Sequence, residues 1–134
     1  MDTSARLRFL RIALIVFGLA FIFGVYPLMM MWWPSGWRWT PNQPEYEQMI
    51  LGIYATLGVF LLIASRNPLR HRSLIWFTAW SSLVHAGIMA VQAMKMPMER
   101  GHFYGDILVL AVVAVVLAVL MPRGGAADGA GGAA

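Results

Sequence analysis

Four long apolar segments take up most of the chain and decide what it can fold into. They run over about residues 9–31, 48–64, 74–94 and 103–121. A helix that crosses a bilayer needs roughly 20 mainly apolar residues, with a range of about 17–25, and every segment falls within that range. Charged residues make up only 12% of the 134 residues, whereas soluble domains carry about 25%. The sequence therefore predicts an all-α bundle of four transmembrane helices, forming one domain over residues 1–123.

The end of the chain has a different composition. Residues 124–134 contain only Gly, Ala and a single Asp. Such a low-complexity segment has too little apolar surface to pack, so we expect a disordered C-terminal tail.

Several kinds of chemistry are excluded by what the sequence lacks. There is no cysteine, which removes disulfides, thiolate nucleophiles and Cys-ligated zinc. There is also no phosphate-binding loop, GxSxG turn, HExxH pair or Gly-rich dinucleotide turn. We therefore expect no cofactor, and an enzymatic role is not favoured although it stays open.

The basic residues indicate how the helices are oriented. They concentrate in the N-terminal segment, in the second connection and after the fourth segment: Arg6, Arg8, Arg11, Arg66, Arg70, Arg72 and Arg123. Short basic segments stay in the cytoplasm, so both termini are predicted to be inside. The net charge of +4 does not indicate nucleic-acid binding, because the charges flank apolar segments instead of forming one face. The expected partners are the lipid bilayer and either a second copy of the chain or another membrane protein.

The first connection is rich in tryptophan and proline. Its tryptophans and prolines are Trp32, Trp33, Trp37, Trp39, Pro34, Pro41 and Pro44. Tryptophan favours the membrane interface, and the prolines prevent a continuous helix. The segment is predicted either to form an aromatic belt in the outer headgroup layer or to cap an outward-facing cavity.

A few polar side chains fall within the predicted helices, all in the outer half of the membrane. Such residues are candidates for function because burying them in lipid is costly. They lie on the second, third and fourth helices and are predicted to form one cluster: Glu47, Tyr54, Ser81, His85, Gln92, His102 and Asp106. The cluster either fixes helix packing by mutual hydrogen bonds or binds a ligand, with His85 and a carboxylate able to relay protons.

Metal binding is a third, weaker interpretation. Met94, Met96 and Met98 form an M-x-M-x-M run near the outer face, and thioether sulfur selects Cu(I). Methionine is also common as flexible filler in apolar helices, and Lys95 opposes a bound cation. We expect no metal site.

Small residues one helical turn apart predict where helices approach each other closely. Ala20 and Gly24 in the first segment are such a pair, and this spacing lets backbones come together. Chance in an Ala-rich chain also explains the pattern.

The stretch from Arg66 to Ala90, with the Gly101-His102 and Gly105-Asp106 pairs, resembles a bacterial family of small four-helix integral membrane proteins of unknown function. The chain is also distantly similar to DoxX-like proteins. The resemblance covers roughly residues 6–123. It implies the four-helix fold and a location in the bacterial inner (cytoplasmic) membrane, and it implies no activity.

Three functions are consistent with the sequence. The first is a binding or accessory protein that uses the polar cluster in the periplasmic half of the membrane. The second is a small membrane enzyme or redox component that acts on a lipid-soluble substrate, with His85 as acid/base. The third is an oligomeric small transporter, because four helices alone seldom enclose a pathway.

Overall fold

The computed structural model describes residues 2–122, which form helices and connecting turns without any strand. Four helical segments are long and apolar enough to cross a membrane: Thr3–Trp32, Pro44–Arg66, Pro68–Lys95 and Pro97–Leu120. The predicted all-α fold with four transmembrane helices is confirmed. The predicted tail over residues 124–134 lies outside the described residues.

The first membrane helix, α1, is continuous over Thr3–Trp32. The Asp2 carboxylate caps it by accepting a hydrogen bond of 2.8 Å from the Ala5 N–H, which satisfies one of the free donors at a helix start. Its second half contains two π-helical turns, Ala20–Gly24 and Leu28–Trp32. Turns of this kind are rare in proteins overall, but those that occur are often found at functional sites.

The other three helices each follow a proline. Helix α2 spans Pro44–Arg66 and carries its proline in the first turn, where the missing N–H costs nothing. Helix α3 spans Arg72–Lys95 after the 3-10 turn Pro68–His71. Helix α4 spans Asp106–Leu120 after the 3-10 turn Pro97–Phe103.

The bundle consists of two helix pairs. Helix α1 packs along α2, and α3 packs along α4, whereas α2 and α3 touch little. The two pairs meet mainly where the Thr3–Leu19 part of α1 contacts α4. A closely packed core fills this half of the bundle: Leu10, Leu14, Leu61, Ile75, Val113, Leu117 and Met121. In the other half the pairs diverge.

Helices α1 and α2 come closest at two glycines. A Cβ atom added to Gly58 would lie 2.6 Å from the Gly18 carbonyl oxygen, and one added to Gly18 would lie 2.9 Å from the Gly58 carbonyl oxygen. The expectation that Ala20 and Gly24 mark the close approach is wrong. Both residues line a cavity, and the atom nearest to an added Gly24 Cβ, at 3.8 Å, belongs to Ala20 itself.

Candidate ligand-binding cavity

A cavity of about 640 Å³ lies where the two helix pairs diverge. All four helices contribute to its walls, and the connection between α1 and α2 contributes its cover. The walls are mainly apolar and include Phe17, Phe21, Leu110 and Val113. Both π-helical turns of α1 also face it, through residues such as Ala20 and Met29. The cavity is therefore a feature of the whole bundle.

The cover of the cavity is the roof segment, residues 33–43, which contains the 3-10 turn Pro34–Gly36. It rests on the connection that leads into α4. An added Cβ on Gly105 would collide with the Gly36 carbonyl oxygen, and one on Gly101 would lie 2.8 Å from the Ser35 carbonyl oxygen. The two glycines thus permit backbone-to-backbone contact, so the roof segment sits directly on the connection that leads into α4.

Three buried side chains before and at the start of α4 form a latch triad, Glu99, His102 and Asp106. The His102 Nδ1 atom lies 2.9 Å from Asp106 Oδ1. The His102 Nε2 atom lies 3.2 Å from Glu99 Oε2, but it is not aligned for a hydrogen bond. The Glu99 contact is therefore a close approach of a carboxylate to the ring nitrogen and not a hydrogen bond.

The latch triad holds the roof segment from below. The Trp39 indole stacks on the His102 ring, with centroids 4.2 Å apart and planes at 27°. Its N–H donates to Asp106 Oδ2 over 3.4 Å, and the Thr40 backbone N–H donates to Glu99 Oε1 over 3.1 Å. Each triad member therefore contacts the roof.

A second attachment joins the roof segment to α2. The Arg38 Nε atom donates to both carboxylate oxygens of Glu47, over 2.9 and 3.0 Å. Both side chains are partly buried, which reduces solvent screening of the pair. Glu47 is thus occupied by a roof residue and does not join His85.

A polar pair faces the cavity from α2 and α3. The Tyr54 hydroxyl lies 2.8 Å from His85 Nδ1, and both residues line the cavity. The Phe21 ring packs edge-on against Tyr54, with centroids 5.1 Å apart. The pair bridges two helices that otherwise make few contacts.

The residues predicted as one cluster are thus distributed over several groups. Tyr54 and His85 form one, His102 and Asp106 belong to the latch triad, and Gln92 lines the cavity beside them. Ser81 does not line it and donates to the Thr78 carbonyl oxygen over 3.3 Å. The methionines of the M-x-M-x-M run are exposed: Met94, Met96 and Met98.

Sequence reasoning missed Arg38 and Glu99 as site residues, and it named Trp37 and Trp39 only as members of a segment that either forms an aromatic belt or caps a cavity. All lie on connections between helices, whose path the apolar pattern does not determine. One usable signal is the pair of opposite charges at Arg38 and Glu47, which flank a segment that contains the turn-forming residues Pro41, Asn42 and Pro44. The density of tryptophan and proline, which suggested a cap, is the other.

The fold and the cavity define a small four-helix membrane protein with a ligand-sized chamber at one end of its bundle. The chain belongs to the DUF6632 family, a family of unknown function whose model matches residues 4–133. No curated protein and no solved structure matches it.

Proposed function

We propose that the protein is a membrane-embedded binding protein that holds a lipid-soluble small molecule beneath the roof segment. The cavity carries this proposal. Its volume of about 640 Å³ falls within the roughly 300–1,000 Å³ of small-molecule sites. Its apolar walls and few polar groups also have the composition of such sites.

The way the roof is attached supports this role. Three buried ionisable side chains, Glu99, His102 and Asp106, hold the roof segment over the cavity. Burying such groups is costly, and a role in covering a ligand site accounts for that cost.

A small membrane enzyme or redox component is the second candidate. The observation in its favour is the Tyr54–His85 pair, whose hydrogen bond of 2.8 Å lies at the cavity wall. Histidine exchanges protons near neutral pH, so His85 would act as acid/base on a bound substrate. An oligomeric transporter receives less support, because the apolar core around Leu14 and Leu117 closes the other half of the bundle.

We also propose a location in a bacterial inner membrane, with both termini in the cytoplasm and the roof segment on the periplasmic side. The distribution of arginines supports this orientation. Alkaline-phosphatase fusions at Gln43 and Pro97 should be active, and fusions at Asn67 and Arg123 should be inactive. The measurement is enzyme activity per amount of fusion protein in intact cells. An active fusion at Asn67 would reverse the orientation and place the cavity on the cytoplasmic side.

Native mass spectrometry of the detergent-purified protein tests the binding role. We expect a small molecule to co-purify with the protein, and Gly24→Leu to lose it, because Gly24 lines the cavity and the new side chain would occupy that space. Gly87→Leu is the matched control, since an added Cβ at Gly87 meets nothing within 4 Å and the residue lies away from the cavity. A ligand retained by Gly24→Leu, or none in the parent protein, would contradict the proposal.

A further inference from the structure

Trp37 is the one roof residue with a buried side-chain polar group that has no partner among residues 2–122. Its side chain is 7% exposed and lines the cavity. Its indole N–H is buried and finds no acceptor among residues 2–122. Trp39 is a useful contrast, because it also lines the cavity but donates to Asp106. A buried donor without an acceptor destabilises the fold, and an oxygen atom of a ligand would satisfy it.

The Tyr54–His85 pair offers a second donor, whichever way its own hydrogen bond runs. If the Tyr54 hydroxyl donates to Nδ1, the neutral imidazole carries its proton on Nε2. If Nδ1–H donates to the tyrosine oxygen instead, the Tyr54 O–H is free to donate elsewhere. In either arrangement, one N–H or O–H group makes no hydrogen bond within the pair. Two groups that line the cavity thus carry a donor to spare, Trp37 and this pair.

The charges around the cavity disfavour an anionic ligand. Glu47 and Asp106 line it, and Arg38 is the only permanent cation among the described residues that do so. Arg38 already binds Glu47 through two hydrogen bonds. A phosphate or carboxylate would therefore meet like charge without a free cation to offset it. A cationic ligand also gains little attraction, because both carboxylates already have partners.

Flat aromatic faces complete the lining. Phe17, Phe21, Trp37, Trp39 and Tyr54 all contribute to the cavity wall, and aromatic side chains pack well against other rings. We infer that the ligand is a neutral, lipid-soluble ring compound with carbonyl oxygens on the ring, the chemistry of a quinone. Trp37 binds one oxygen and the Tyr54–His85 pair binds the other. This inference rests on the proposed binding function and specifies its ligand class.

The test compares two probes that share an alkyl chain. Decylubiquinone carries ring oxygens and decylbenzene does not. We expect the detergent-purified full chain to bind decylubiquinone at least about tenfold more tightly in calorimetric titrations, as two hydrogen bonds require. Trp37→Phe keeps the ring and removes the N–H, so it should weaken decylubiquinone binding about fivefold and leave decylbenzene binding unchanged. Trp80→Phe, at a residue that is 61% exposed, is the control and should change neither.

Three patterns of binding, and a complete absence of binding, would overturn the inference. One is equal affinity for the two probes, and another is equal weakening of both by Trp37→Phe. The third is tighter binding of decylpyridinium, a cationic ring probe, than of decylubiquinone. If Trp37→Phe does not fold, the double variant Tyr54→Phe with His85→Phe removes the other donor whichever way the hydrogen bond of the pair runs. It should likewise weaken decylubiquinone binding and leave decylbenzene binding unchanged. Decylbenzene binding that Gly24→Leu abolishes would preserve the proposed binding function even when the quinone preference fails; absence of binding by all three probes would refute the ligand class.

Discussion

Gly58→Ala should lower the free energy of unfolding by about 1–3 kcal/mol, the usual cost of overpacking a close contact. An added Cβ would lie 2.6 Å from the Gly18 carbonyl oxygen and 2.8 Å from Ile22 Cγ1. The carbonyl is part of the backbone of α1 and cannot rotate away, so α1 and α2 have to separate. Alanine is also the better helix former by about 1 kcal/mol, and the steric cost has to exceed that gain.

Gly52→Ala on the same helix is the matched control for this substitution. An added Cβ there meets nothing within 4 Å, so only the gain in helix propensity remains. We expect the control to match the parent protein or to exceed its stability by up to about 1 kcal/mol. Thermal unfolding in one detergent, followed by circular dichroism, measures both variants. Equal stability of the two variants would show that α1 and α2 do not meet at Gly58.

The four helices could be predicted because the bilayer imposes a length and a composition on each of them. Which helices pair could not be predicted in the same way. Small residues are common in the chain, and spacing alone does not distinguish a contact such as Gly18–Gly58 from a cavity wall such as Ala20–Gly24. That distinction depends on where the helix pairs diverge, which is a property of the whole bundle.

The candidate site was predictable to the extent that its residues lie on helices. Tyr54, His85 and Asp106 were found because a polar side chain in an apolar segment is conspicuous. Together with Glu47 and Gln92 they line one cavity. They do not form one hydrogen-bonded network, because His102 and Asp106 bind the roof segment while Tyr54 binds His85. The roof is an irregular connection, and its path follows from contacts of Gly36 with Gly105 that have no signature in the sequence.

Asp106 connects the latch triad to the roof segment, so its loss affects stability and roof attachment together. Its carboxylate accepts from Trp39 over 3.4 Å and from the Ile107 N–H over 2.8 Å, and it lies 2.9 Å from His102 Nδ1. His102 is fully buried, so its ring nitrogen finds no water in place of the lost oxygen. Removing the partner of such a buried group lowers the free energy of unfolding far more than removing an exposed carboxylate does.

Asp106→Ala should therefore lower the free energy of unfolding by about 3 kcal/mol and release the roof segment. Hydrogen exchange is the sharper measurement, since amides of residues 35–40 should exchange faster while those in the middle of α2 keep their protection. Asp106→Asn retains one acceptor oxygen, so its stability and its roof exchange rates should fall between those of the parent protein and of Asp106→Ala. Glu45→Ala, which removes an exposed carboxylate at the start of α2, is the control and should leave the roof unchanged. Unaltered exchange over residues 35–40 in Asp106→Ala would show that the latch triad does not hold the roof, and that the contacts at Gly101 and Gly105 suffice to hold it in place.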